Sequence, residues 1–338
     1  GKKMSKSLGN IVAPQEVINE LGADVLRLWV AATDFSSEMS VSNEILKRVS
    51  DSYRRIRNTA RFLLSNLEGF DPNTDLLPND QLLLLDRWAI TRAAELQEEI
   101  LTAYNDYQLH TIYQKLHNFC VVDLGSIYLD IIKDRQYTTQ ADSVARRSAQ
   151  TAMYHIIEAF TRWIAPILSF TADELNEHIP GERSDNIFIE EVYSGLDNLL
   201  DDSQGEVTLM QTLCEVKVAV NKAIEGERTN GTVGASLEAE VTIYAEQSLA
   251  TQLLAIKDEL RFVLMASAVT VVSDQAAPDN AIATELDAMK LVINKSEHDK
   301  CARCWHHCAE VGAIEAHPEL CQRCVDNVDG DGEERLYA

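Results

Sequence analysis

Four cysteines near the end of the sequence form two tight pairs, Cys301-Ala302-Arg303-Cys304 and Cys321-Gln322-Arg323-Cys324, with sixteen residues between them. Two residues between the thiols let both sulfurs of one turn face the same ion. Two such turns complete a tetrahedral four-thiolate shell suited to Zn2+. That shell leaves no open position, so the expectation is one structural zinc per chain, not a catalytic one. His306, His307 and Cys308 lie close enough to compete for a place, because mixed Cys/His shells also exist. Arg303 and Arg323 sit inside the turns, where they can offset thiolate charge. Trp305 can lid the metal turn or offer its face to an exposed base.

A second chemistry lies at the opposite end, in Lys2-Lys3-Met4-Ser5-Lys6-Ser7-Leu8-Gly9-Asn10. An ammonium delivers compact positive charge to phosphate oxygens and can stabilise charge building on a leaving pyrophosphate. Ser5, Ser7 and the amides around Gly9 add donors. Taken alone, a lysine-rich loop is as readily a solvated surface. A third candidate is the run Lys47, Arg54 and Arg61, seven apart, with Arg57 beside them and Arg48 and Arg55 flanking. It falls opposite an apolar stripe and so should be exposed, either as a plain solvated face or as a contact for phosphates.

The elements that must position these residues are mostly helical. Pro14 fits the first turn of a short helix that Gly22 ends, and a second helix runs from Asp24, as its cap, to Thr33. Val49, Tyr53, Ile56, Ala60, Leu63 and Leu67 recur at spacings of three and four, which predicts a long amphipathic helix ended by Phe70-Asp71-Pro72-Asn73. The same periodicity predicts helices over 82–104, 109–132 and 144–164, with Pro166 closing the last and a short one reaching His178. Together these make a helical bundle. Residues 181–205 read as a linker with one short extended piece at Ile187–Ile189. A smaller α+β unit follows, with helices over 207–227 and 249–264 and strand-like runs at 238–244, 268–272 and 291–293. The fold class is therefore mainly α: a helical bundle, a small α+β unit and a terminal zinc module. The expected segments are 1–40 for the loop and its support, 41–180, 181–205, 206–298 and 299–338.

Composition narrows the function. The sequence has 338 residues, 46% hydrophobic and 25% charged, with a net charge of −24. That balance argues against non-specific coating of nucleic acid, although residues 1–62 alone carry +3. A nucleic-acid surface should be local and begin near the amino end. No apolar run approaches the ~18 residues a membrane span requires. Seven cysteines, four of them paired as metal ligands, fit a reducing compartment better than a secreted disulfide scaffold. Cys120 and Cys214 stand in apolar helical stretches and read as core. Gly1, with no initiating Met or signal pattern, reads as the start of a cut fragment.

The string Lys3-Met4-Ser5-Lys6-Ser7 resembles the signature loop of the class I aminoacyl-tRNA synthetases. Gly22-Ala23-Asp24-Val25-Leu26-Arg27, Arg54-Arg55-Ile56-Arg57-Asn58, Asp86-Arg87-Trp88 and Ala165-Pro166-Ile167-Leu168-Ser169-Phe170, with Asp173 and Glu174, resemble landmarks of the Ile/Val/Leu/Met branch and its anticodon-binding domain. The terminal cysteine pairs with Trp305 are similar to the zinc module of the isoleucyl members. The resemblance covers essentially the whole chain and implies a carboxy-terminal portion of such an enzyme. It implies that Lys6 is the catalytic lysine touching ATP, with Lys3, Ser5 and Ser7 in the same ATP site and Mg2+ accompanying the nucleotide. It favours tRNA contact by Arg54, Arg57 and Arg61, and it implies isoleucine and its acceptor tRNA as partners, a monomer and a cytoplasmic location. The sequence departs from the family in one respect: no His-x-Gly-His motif occurs among its eight histidines. The chain alone is therefore expected not to catalyse the reaction. A valyl, leucyl or methionyl enzyme, or a stand-alone zinc-containing RNA-binding module, stays open at this point.

Overall fold

Ser42 opens the expected long amphipathic helix, its hydroxyl accepting from the Ile45 amide at 3.2 Å. This helix, α3 (Asn43–Ser65), buries Leu46, Val49, Ile56, Ala60 and Leu63 along one stripe. It follows α1 (Pro14–Leu21) and α2 (Ala23–Ala32). After it come α4 (Leu84–Asn105) and α5 (Leu109–Asn118), which runs through a π-helical stretch, Phe119–Tyr128, into α6 (Leu129–Thr138). Next are α7 (Val144–Ile164) and α8 (Ser169–Asn176), then α9 (Glu206–Asn230). The remaining elements are β1 (Ala239–Ala245), α10 (Gln247–Ala255), α11 (Leu260–Leu264), β2 (Ala268–Ser273), β3 (Ile282–Ala283), β4 (Met289–Lys295) and α12 (Gln322–Asp329). The computed structural model describes residues 2–338; Gly1, named above as the first residue, lies outside the described residues.

The chain forms two compact units. One comprises 1–76, 89–126 and 150–199, and is helical. Its interior is built by Val25 and Leu28 of α2, Ile56 and Leu63 of α3, and Met153, Ile156 and Phe160 of α7, all buried. Each fully buried side chain of this size contributes roughly 1.5–3 kcal/mol. Asp24 is buried within the first turn of α2 instead of capping it. Its carboxylate accepts from the Thr171 amide and hydroxyl, at 2.7 and 2.6 Å, and so caps α8, a helix 147 residues away. Arg27 donates to the carbonyls of Ile167 and Pro166 at 2.8 and 2.9 Å, just past the end of α7. The segment carrying the lysine loop is thereby fastened to the bundle helices of its own unit.

The other unit comprises 77–88, 127–149 and 200–338. It holds a four-stranded sheet in the order β2-β1-β4-β3, with β1 parallel to β2 and antiparallel to β4. Val241 faces Val269 and Ile243 faces Leu291 across the central strand. The α10–α11 segment supplies the crossover that a parallel pair requires. A buried ion pair also lies here: Arg135 grips Asp86 at 2.5 and 2.7 Å with neither side chain exposed. Tyr128 donates to the same carboxylate at 2.7 Å, and Ser148 also donates to it.

Two local expectations fail. Ile187–Ile189 is a 3-10 turn and not an extended piece, because the Asn186 side chain accepts from the Phe188 amide at 2.9 Å and closes it. The helix expected over 249–264 is broken between Ala255 and Leu260. Glu259 sits in that break and accepts the amides of Leu336, Tyr337 and Ala338 at 2.7, 2.9 and 2.8 Å.

Candidate metal centre and cationic sites

The lysine loop folds as a turn closed on itself. Lys6–Leu8 forms a single 3-10 turn, and Gly9 follows at a φ of 63°, a left-handed position that suits glycine. Asn10 clamps the turn: its side-chain oxygen accepts from the Ser5 amide at 2.8 Å, and its nitrogen donates to the Lys3 carbonyl at 3.2 Å. The hydroxyls of Ser5 and Ser7 bond to each other at 2.8 Å. Lys3 and Lys6 are exposed, and among the described residues no carboxylate forms an ion pair with either. Two ammonium groups and a pair of serines therefore project from a short, braced segment. That arrangement suits a polyanion.

On α3 the three arginines share one face but not one state. Arg61 is exposed; Arg54 is exposed and meets Asp51 at 3.2 Å. Arg57 makes a two-pronged contact with Glu174 of α8, at 2.5 and 2.8 Å. That hydrogen-bonded pairing raises the guanidinium and lowers the Glu174 carboxyl. Arg57, Asn58, Arg61, Glu174 and His178 border an open cleft of about 440 Å³ in the helical unit. The cationic character expected there is present, partly neutralised by a carboxylate that any phosphate would have to displace.

The sulfur centre is the best defined of these places. Cys301, Cys304, Cys321 and Cys324 are all buried, and their ligand atoms lie within 4.8 Å of one another. The Sγ atoms of Cys304 and Cys321 stand 3.7 Å apart. The edge of a tetrahedron drawn with ~2.3 Å zinc–sulfur bonds is about 3.8 Å, so that separation matches one edge of a zinc-bound set. The backbone explains why. The Trp305 amide donates to the Cys301 carbonyl at 3.0 Å, and Trp305 takes a φ of 67°, which turns the first pair into a knuckle. The second pair opens α12, with Cys321 as its N-cap and its amide 3.4 Å from Cys301 Sγ.

The competing ligands are occupied elsewhere or stand aside. His307 donates its amide to Ser267 and its ring nitrogen Nδ1 meets the His298 carbonyl at 2.7 Å. His306 is buried edge-on to Phe262, ring centroids 5.7 Å apart, and burial pushes its imidazole down to about 4. Cys308 does join the buried sulfur cluster but falls outside the group whose ligand atoms converge. Trp305 does not lid the turn; it is 59% exposed, with the Lys300 ammonium 4.8 Å from its ring.

The arginines of the two turns both bond to α6. Arg323 makes a bidentate contact with Asp134 of α6, 2.8 Å on each prong, and Arg303 donates to the Thr138 carbonyl at 3.2 Å. They hold the turns on α6, and the Arg323 charge also favours the Cys304 thiolate, as expected for a cation inside the turn. Asp134, Glu259 and Arg335 were missed in the sequence because nothing local marks them; their partners are remote in the chain.

The comparisons with known proteins agree with this geometry in three places. Residues 1–42 match the family model of class I tRNA synthetases for I, L, M and V, and 86–243 match that of the anticodon-binding domain of tRNA ligase. Residues 299–327 match the zinc finger found in FPG and IleRS. Among curated proteins, isoleucine–tRNA ligases from Saccharophagus degradans, a Marinomonas species and Stutzerimonas stutzeri are 61%, 58% and 56% identical. Each match covers all of this chain and 36% of the relative, so the chain spans about a third of their length. Among solved structures, a leucyl-tRNA synthetase ternary complex from Agrobacterium radiobacter K84 aligns at 16% identity and a TM-score of 0.41. That alignment covers 57% of this chain and 23% of the other, too slight a likeness to argue from.

Proposed function

Because the chain belongs to the isoleucine–tRNA ligase family of class I synthetases, we propose that it provides that enzyme's ATP-contacting loop and much of its grip on tRNA. The enzyme joins isoleucine to ATP as an adenylate, with loss of pyrophosphate, and then passes the aminoacyl group to tRNA. The valyl, leucyl and methionyl alternatives give way to identity of 56–61% along the entire chain, the observation that carries this reading.

In this reading Lys6 acts on the departing pyrophosphate. Negative charge grows on its oxygens as the bond to the α-phosphorus breaks, and a fixed ammonium stabilises the transition state more than the ground state. Lys3, Ser5 and Ser7 hold the phosphates, with Mg2+ supplying further charge. Arg54, Arg57 and Arg61 meet tRNA phosphates, the bundle over 41–180 binds the anticodon stem and loop, and the 299–338 module adds a further hold. Zinc there supplies folding energy, and no step of the reaction passes through it. A monomer in the cytoplasm suits such an enzyme. Among the described residues no helix is long and apolar enough to cross a membrane.

The loop assignment is tested in a complete ligase carrying this chain. Lys6→Ala should lower kcat for isoleucine-dependent pyrophosphate exchange by about 10²-fold, the usual loss for such a contact. An unchanged kcat with a raised KM for ATP would confine Lys6 to ground-state binding.

A further inference from the structure

Both metal turns are fastened to the same end of α6, and one carboxylate does most of the fastening. Asp134 takes the two-pronged contact of Arg323 and a further bond from Arg335 at 2.6 Å. Glu333 links the same two guanidiniums, at 2.9 Å from Arg323 and 2.8 Å from Arg335. Arg335 lies flat on Phe262, 3.5 Å from its centroid. One turn further along α6, the Thr138 carbonyl takes Arg303 from the other metal turn. Burial alone would raise the Asp134 carboxyl, yet the guanidiniums hold it down at about 2, so it is ionised throughout the physiological range. A bidentate guanidinium–carboxylate pair fixes direction as well as distance. Arg323 lies next to Cys324, so its direction sets that of the second metal turn at the start of α12.

Beside these anchors the module turns an edge outward. Trp305 and Arg303 are exposed, Lys300 stands over the indole, and a cavity of about 480 Å³ opens beside them. Tyr137 of α6 and Phe262 line it. An aromatic edge with cations suits an RNA strand only if it is held in one orientation, and the Arg323–Asp134 fork is the contact that fixes direction as well as distance.

We propose that Asp134 is a positioning residue for tRNA: through Arg323 it fixes the zinc module on α6 so that the Trp305 edge is presented to the RNA. This rests on the reading that the zinc module helps to hold tRNA. In this proposal Asp134 acts through Arg323 and is not itself a ligand.

The test uses a complete ligase carrying this chain, as Asp134→Asn, Asp134→Glu, Arg323→Lys and Cys321→Ser. Asp134→Asn should keep its zinc and its isoleucine-dependent pyrophosphate exchange. It should raise the KM for tRNA about tenfold with kcat little changed, the scale of one lost charge-assisted contact. Asp134→Glu, which keeps the charge, should recover part of that loss, whereas a merely space-filling role would not distinguish Glu from Asn. Should Asp134→Asn fail to fold, Arg323→Lys carries the same expectation, because lysine keeps the charge but not the fork. Loss of zinc from Asp134→Asn, an unchanged KM, or no recovery in Asp134→Glu overturns the proposal. Cys321→Ser separates the two layers. An unchanged KM for tRNA in that zinc-free variant refutes the underlying reading, while a raised KM there with a normal Asp134→Asn refutes positioning alone.

Discussion

Cys308 shares the buried sulfur cluster with four other thiols, yet convergence of ligand atoms selects the others. Cys308→Ser should therefore retain zinc, whereas Cys321→Ser should lose it and disorder the residues after about 300, since metal binding provides the folding energy of so small a segment. Metal analysis of the two variants checks this, and the reverse pattern would overturn the ligand assignment. Lys217 offers a residue-scale test of stability. It is buried, donates to the Val263 carbonyl at 3.0 Å, and burial pushes its ammonium down to about 8 despite Asp130 at 3.9 Å. A depressed lysine binds its proton more weakly folded than unfolded, which costs the fold about 3 kcal/mol at neutral pH. Stability should thus rise between about pH 8 and 10.5, as the folded side chain has lost its proton and the unfolded one has not. Lys217→Met should stabilise by about 1–3 kcal/mol at pH 7 and abolish that rise, read by denaturant melts across pH. The cysteine spacing was legible in the sequence because both ligands of a turn are close neighbours in the chain. Asp24, Asp134 and Glu259 were not, because each acts on a partner far away in sequence, and burial of a lone acid has no local signature.

Helix α3 shows how far a periodic pattern reaches. Its apolar stripe placed Ile56, Ala60 and Leu63 in the core correctly, and the opposite arginines are outward. Periodicity did not reveal that Arg57 already holds Glu174. Replacing Arg54, Arg57 and Arg61 together by Gln should weaken tRNA binding and flatten its log–log salt dependence by up to about three, less if Glu174 keeps Arg57 from phosphate. Equal slopes for the two proteins would return this face to plain solvation. The π-helical stretch at Phe119–Tyr128 escaped the pattern too, since a 3.6-residue repeat is blind to a local widening of the turn. A β-carbon on Gly125 there would stand 2.8 Å from the Cys120 carbonyl, so the stretch tolerates little else at that position. The turn at Ile187–Ile189 was misread for a related reason: an apolar triplet suits a strand or a turn, and the Asn186 side chain decides.

At the scale of the molecule, a chain carrying −24 is expected to bind RNA through a few local cationic edges, here the α3 face and the zinc module. It carries the lysine loop proposed to contact ATP without a His-x-Gly-His motif, so the purified chain should show no isoleucine-dependent pyrophosphate exchange; detectable exchange would mean that the adenylating site is complete within these residues. Most of the helices, and their assignment to a bundle and a small α+β unit, could be read in advance, because each follows from local periodicity. The division into two units could not, because it depends on which distant segments share a core. We propose that this chain binds isoleucine-acceptor tRNA through its anticodon-binding domain. The most direct test of that claim is the affinity of the purified, zinc-loaded chain for that tRNA and for the same tRNA with its anticodon replaced, measured at equal salt. We expect the replacement to weaken binding by at least about tenfold, the scale of one or two lost base contacts; identical affinities for the two RNAs would contradict the account.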